Sequence, residues 1–148
     1  MANALWRIAC AVVWLVVVLG LLCFACVPRC YGGETVLFRV TAYCPCAKCC
    51  GTCSPGITAS GTRADHPLVA APRRFPFGTA MRIPGYAGGQ WVRVEDRGGV
   101  IRGNRLDVLF APPWHLRHNK KALEKAHNDA LAWGVRWLRV KVKRAMKG

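Results

Sequence analysis

Acidic side chains are the scarcest charged groups in this sequence. Glu34, Asp65, Glu95, Asp96, Asp107, Glu124 and Asp129 stand against 22 Lys+Arg, giving a formal charge of +15 over 148 residues. Repeats and low-complexity segments are lacking, which leaves one domain of ordinary size. No DNA-binding zinc finger, helix-turn-helix or aromatic RNA-binding signature is present, so nucleic-acid binding would rest on charge alone and is not expected. His66, His115, His118 and His127 show no pairing that spells catalysis. A small-x-small signal cleavage site is missing too; its nearest approach is Cys23-Phe24-Ala25.

What the sequence does hold begins with twenty uncharged residues, Ile8 to Val27, "IACAVVWLVVVLGLLCFACV". Such a run is about long enough to cross a bilayer as a helix, and long for a signal-peptide core. Residues 1–30 therefore read as an uncleaved anchor that meets the membrane through 8–27. A cleaved signal is one alternative. A lipid anchor at Cys26 is another, with Cys23 where leucine is usual. Arg7 and Arg29 flank the run almost symmetrically and leave its orientation open. Each version exports the remainder. Residues 28–148 keep every Lys and Arg except Arg7, and all seven acids. That part is drawn to polyanions, which behind a membrane means anionic lipid or cell-wall polymer.

Nine cysteines fall in two groups. Cys10, Cys23 and Cys26 lie in the apolar run, where a thiol behaves as a small hydrophobe. Cys30 and the run "CPCAKCCGTC" supply the rest: Cys44, Cys46, Cys49, Cys50 and Cys53. In an oxidising compartment these would staple the loop by disulfides, with a pairing that sequence cannot specify. The same C-x2-C spacings, Cys46/Cys49 and Cys50/Cys53, suit zinc, with His66 as a distant donor. No cofactor is required by any other motif.

Between residues 34 and 144 the pattern is mainly β. "TVLFRVTAY" (35–43), "QWVRVED" (90–96), "RLDVLF" (105–110) and "VRWLRVKVKR" (135–144) read as strands, with a short one near "AMRI". Lys120–Trp133 reads as a helix, its apolar stripe Leu123, Ala126, Ala130 and Leu131 and its stop Gly134. Short strands, Gly/Pro-rich turns and one late helix argue for a small β-barrel rather than a doubly wound sheet.

The ordered blocks "TAYCPCAKCCG", "GITASGT", "FPFGT", "VEDRGGVIRGNRLDV" and "ALAWG" resemble the 3D (three-aspartate) domain over about residues 36–142. That resemblance implies a six-stranded double-psi β-barrel. It is related to the catalytic barrel of membrane-bound lytic transglycosylase A and of stationary-phase survival muralytic proteins. It further implies a cell-envelope protein, anchored in the inner membrane or exported to periplasm, outer membrane or cell surface, that cleaves peptidoglycan glycan strands. Asp96 takes the place of the family's second aspartate. Asp107 takes that of the third, the proposed general acid. The first aspartate should precede the proline of Val69-Ala70-Ala71-Pro72, and there the sequence has Ala71.

Glycosidic cleavage needs a carboxyl to protonate the leaving oxygen, which suits Asp107. Asp96 would face the same groove, and mutual repulsion would help keep one of the two protonated. Gly98, Gly99 and Gly103 allow a polymer close to the backbone. Thr58, Ser60, Gly61 and Thr62 offer a hydroxyl-bearing turn to sugar, and Tyr43 a stacking face. Glu95 is expected to be structural, for instance partnering an arginine, and Asp65 to form a turn. Two other classes stay open: a wall-binding or wall-loosening module that does not cut, and a membrane-tethered metal or redox protein using the cysteine loop. Oligomeric state is not legible.

Overall fold

Alternating apolar and polar residues build most of this domain. In the computed structural model, residues 33–51 and 56–143 are described; the apolar run 8–27, Cys30 and Cys53 lie outside them. The strands are β1 (Glu34–Tyr43), β2 (Leu68–Ala70), β3 (Ala80–Arg82), β4 (Trp91–Asp96), β5 (Arg105–Leu109) and β6 (Arg136–Lys143). Two helices accompany them, the single turn α1 (Ala47–Cys50) and α2 (Lys120–Trp133). The strands hydrogen-bond in the closed order β1-β5-β2-β4-β3-β6. β1·β5 and β2·β4 are parallel, and the other four pairings are antiparallel. Among the described residues no helix is long and apolar enough to cross a membrane.

The period of two decides which side chains face inward. Phe38 and Val40 of β1, Leu106 and Val108 of β5, Val92 and Val94 of β4, and Val140 and Val142 of β6 share one core cluster. Each of these buried side chains stabilises the fold by roughly 1.5–3 kcal/mol. Their strand neighbours Arg93, Arg139 and Lys141 are exposed. The basic residues thus occupy the outer face that alternation assigns them.

Helix α2 starts where Asn119 Oδ1 accepts the Ala122 N–H at 3.1 Å. It ends at Gly134, whose φ of 64° suits glycine, and whose N–H reaches the Ala130 carbonyl. Its buried face is Ala126, Ala130 and Trp133, with Trp133 packed against Tyr86 and Phe110. Leu131, expected in that stripe, is 66% exposed instead. Five residues past Ala126 it is rotated about 140° from it, whereas Trp133 at i+7 returns to the same face.

Candidate functional site

Four strands bring one row of side chains to the outer face of the sheet. Thr41 pairs in register with Asp107, and Asp107 with Ala70. Ala70 also pairs with Asp96 on its other side. The Val40, Val69, Leu106 and Val108 neighbours of this row all belong to the core cluster, so Thr41, Ala70 and Asp107 face away from it. Asp96 joins them only through an irregularity. Val69 pairs with Val94 but Ala70 with Asp96, so Glu95 is an extra residue opposite β2. Strict alternation would have left Asp96 on the core face beside Val94. The bulge turns it outward.

The two carboxylates are held differently. Asp96 Oδ2 accepts the Tyr43 hydroxyl at 2.6 Å, while Oδ1 accepts the N–H groups of Ala59 at 2.9 Å and Arg97 at 2.8 Å. Both of its oxygens are therefore engaged. Asp107 Oδ1 accepts the Thr41 hydroxyl at 2.9 Å, and Oδ2 has no hydrogen-bond partner among the described residues. Burial pushes the Asp107 carboxyl up from the usual 3.8 to about 6. The Thr41 hydrogen bond and Arg105 oppose that rise, and the Asp96 charge adds to it. Asp107 is thus the carboxyl that keeps its proton up to about pH 6, with an oxygen to spare.

Tyr43, expected to offer a stacking face, also has a role for its hydroxyl. Its hydroxyl is committed to Asp96, and burial, followed by Asp96, drives its pKa far above the ordinary value. The loop over the site carries Thr58, Ser60 and Thr62, whose hydroxyls lie 2.8–3.1 Å from one another. Ser60 N–H also donates to the Glu95 carbonyl at 3.0 Å, which ties this loop to the bulge. Glu95 accepts from Thr62 at 2.6 Å and lies 3.0 Å from His66 Nε2, so its partners are not arginines. His66 Nδ1 meets Asp65 at 3.1 Å, and although burial opposes it, these two acids raise the His66 pKa.

Beside Asp96 an open cleft of ≈ 630 Å³ is lined by Ala71, Gly98 and Gly99 together with Arg73, Arg74, Arg97 and Arg102. Arg97 is a latch: its guanidinium donates to the Ala71 and Phe75 carbonyls at 2.7 Å each and covers the Phe77 ring. Gly99 is open, but a Cβ on Gly98 would lie 2.6 Å from Ile101 Cγ1, so that glycine is needed to close the turn. Ala71, at the family's first-aspartate position, is 1% exposed and belongs to the core cluster.

Relatives carry names from the bacterial cell wall. "Probable endolytic peptidoglycan transglycosylase RlpA" of Aquifex aeolicus is 42% identical over 57 residues, 36% of this chain and 25% of that protein. "Putative cell wall shaping protein YabE" of Bacillus subtilis is 24% identical over 111 residues, 74% of this chain and 23% of that protein. The chain spans about a quarter of the length of these curated relatives. The crystal structure of MltA from E. coli aligns with 64% of this chain and 29% of its own, at TM-score 0.39 and 21% identity. No family model matches the chain.

Away from this row, the cysteine run is compatible with the metal alternative, with His127 in place of His66. Cys44, Cys46 and Cys49 are thiols rather than disulfides, and their sulfurs gather around one imidazole. That imidazole belongs to His127 on α2, whereas His66 is engaged with acids. The Cys50 thiol donates to the Cys44 carbonyl at 3.2 Å. Sequence reasoning missed both His127 and Thr41. The period of two in β1 put Thr41 on the same face as Tyr43 and was the available signal; His127, 78 residues beyond Cys49, offered none.

Proposed function

We propose that this chain is a cell-envelope protein of the 3D-domain, double-psi barrel kind that cleaves peptidoglycan glycan strands, with Asp107 as general acid. The carrying observation is the outward row Thr41–Asp107–Ala70–Asp96, in which Asp107 alone has a carboxyl oxygen without a partner among the described residues. The names of the relatives support the choice of wall polymer.

A protonated Asp107 donates its proton to the glycosidic oxygen as the C1–O bond breaks. The sugar's own 6-hydroxyl then attacks C1, and its proton returns to Asp107, closing a 1,6-anhydro ring without consuming water. Asp96 is occupied by Tyr43, Ala59 and Arg97, which favours this one-carboxyl route over hydrolysis by a carboxylate pair. Asp96 instead pins the Thr58–Thr62 loop and Tyr43 beside the acid. The arginine-lined cleft fits the carboxylates of the wall's peptide stems.

A second reading is a wall-binding module that grips without cutting. Ala71 favours it, because a buried methyl stands where the resemblance calls for a carboxylate. Incubation with purified peptidoglycan separates the two. Release of muropeptides with 1,6-anhydro ends, abolished in Asp107→Asn, supports cleavage. Sedimentation of the protein with the wall and no released product refutes it.

A further inference from the structure

The cysteine run and helix α2 meet at four donor atoms. Cys44, Cys46 and Cys49 Sγ each lie 3.5 Å from His127 Nδ1. The Cys44 sulfur is 3.0 Å from Cys46 and 3.5 Å from Cys49. All four atoms fall within 4.8 Å of one another. A tetrahedral zinc with bonds of about 2.3 Å to sulfur and 2.0–2.1 Å to nitrogen requires S···N of about 3.6 Å and S···S of about 3.8 Å. The three S···N distances meet that requirement. The S···S distances lie below it but far beyond the ~2.05 Å of a disulfide.

We propose that Cys44, Cys46, Cys49 and His127 form a structural zinc site. Three thiolates and an imidazole are the soft, tetrahedral donor set that selects zinc among common divalent ions. Four protein ligands fill the coordination sphere and leave no open position, so the metal supplies structure rather than catalysis. Cys50 is not a ligand: its thiol points to a backbone carbonyl. On binding, each cysteine gives up its proton to solvent and the imidazole donates its Nδ1 lone pair to the metal.

The site has a defined place in the fold. Cys44 directly follows Tyr43, the last residue of β1, while Cys46 and Cys49 bracket the start of α1. His127 sits mid-way along α2, which packs on β1. Zinc therefore clamps the end of β1 to the helix, one residue from the hydroxyl that holds Asp96. This inference does not depend on glycan cleavage and is tested without it.

The test uses the full chain, purified in detergent under reducing conditions and loaded with Zn2+ or Co2+ alone. One zinc per chain is expected. The Co2+ form should show intense tetrahedral ligand-field bands together with thiolate-to-metal charge transfer. His127→Ala should weaken zinc binding more than about 100-fold, beyond what loss of an outer-shell partner costs. His127→Cys should keep the metal with shifted Co2+ bands, and Cys50→Ser should leave the wild-type spectrum unchanged. Folded wild-type protein that binds no metal, an octahedral Co2+ spectrum, metal loss in Cys50→Ser, or equal affinity in wild type and His127→Ala would each overturn the assignment. Should His127→Ala not fold, the wild-type spectrum and His127→Cys decide.

Discussion

Replacing Asp107 by Asn should abolish cleavage and make the protein more stable at neutral pH. Burial lifts the Asp107 pKa from 3.8 to about 6 in the folded chain. At about 1.4 kcal/mol per unit, the folded state disfavours the ionised carboxylate by roughly 3 kcal/mol above pH 7. Asparagine has the same shape, can still accept the Thr41 hydroxyl, and never ionises. A gain of about 1–3 kcal/mol is expected once imperfect replacement of the hydrogen bond is allowed for, or roughly 4–10 °C in Tm. The sign follows from linkage. The folded pKa exceeds the unfolded one, so the folded state binds more protons between about pH 4 and 6, and wild-type stability falls as pH rises through that window. The advantage of the variant should therefore be absent below pH 4, grow between 4 and 6, and level off above 7. Thermal melts of both proteins across this range, paired with muropeptide release, are the assay. A variant less stable than wild type at pH 7.5, or one whose advantage does not change with pH, would refute a strained, proton-holding Asp107.

The proposed cleavage should itself decline as pH rises through about 6, because the acid must be protonated. Thr41→Val removes a hydrogen bond that lowers the Asp107 pKa, so the alkaline limb of the pH–rate profile should move upward; an unmoved limb argues against Thr41 as a positioning residue. Tyr43→Phe deprives Asp96 of a 2.6 Å partner and should cost about 1.5–3 kcal/mol in urea unfolding. Arg73→Ala combined with Arg102→Ala should weaken sedimentation with purified wall and flatten its salt dependence while leaving Tm within about 1 °C, as both side chains are exposed cleft residues.

Most of the barrel was legible because its strands obey a period of two against one core. Val92 and Val94, or Val140 and Val142, announce an inward face whatever they pair with. The expected strands 35–43, 90–96, 105–110 and 135–144 agree with β1, β4, β5 and β6 to within a residue or two at each end. Leu131 is the exception because it follows Ala130 directly, and one 100° step carries it off the face that Ala126, Ala130 and Trp133 share. The single turn α1 and the cluster it serves are exceptions for another reason. Its donors lie far apart in sequence, and only tertiary packing of α2 on β1 brings His127 to the cysteines. Asp96 and Asp107 were both named, but the geometry that relates them was not available from alternation.

That geometry turns on one residue of excess. Asp107 faces outward by ordinary pleating, flanked by the inward Leu106 and Val108. Asp96 follows the inward Val92 and Val94 and should by the same rule be buried, where an ionised carboxylate without partners is prohibitive. Glu95, inserted opposite β2, breaks the rule once, and its own side chain is taken up by Thr62 and His66. The bulge thus supplies both the placement of Asp96 and the anchor for the loop that covers it, since Ala59 N–H binds Asp96 and Ser60 N–H binds the Glu95 carbonyl. Ala70 between the two carboxylates is small enough to let both share one face, with Asp96 raising the pKa of Asp107 across it. The two acids are thereby held unequally: both oxygens of Asp96 accept hydrogen bonds, while one oxygen of Asp107 has no partner among the described residues.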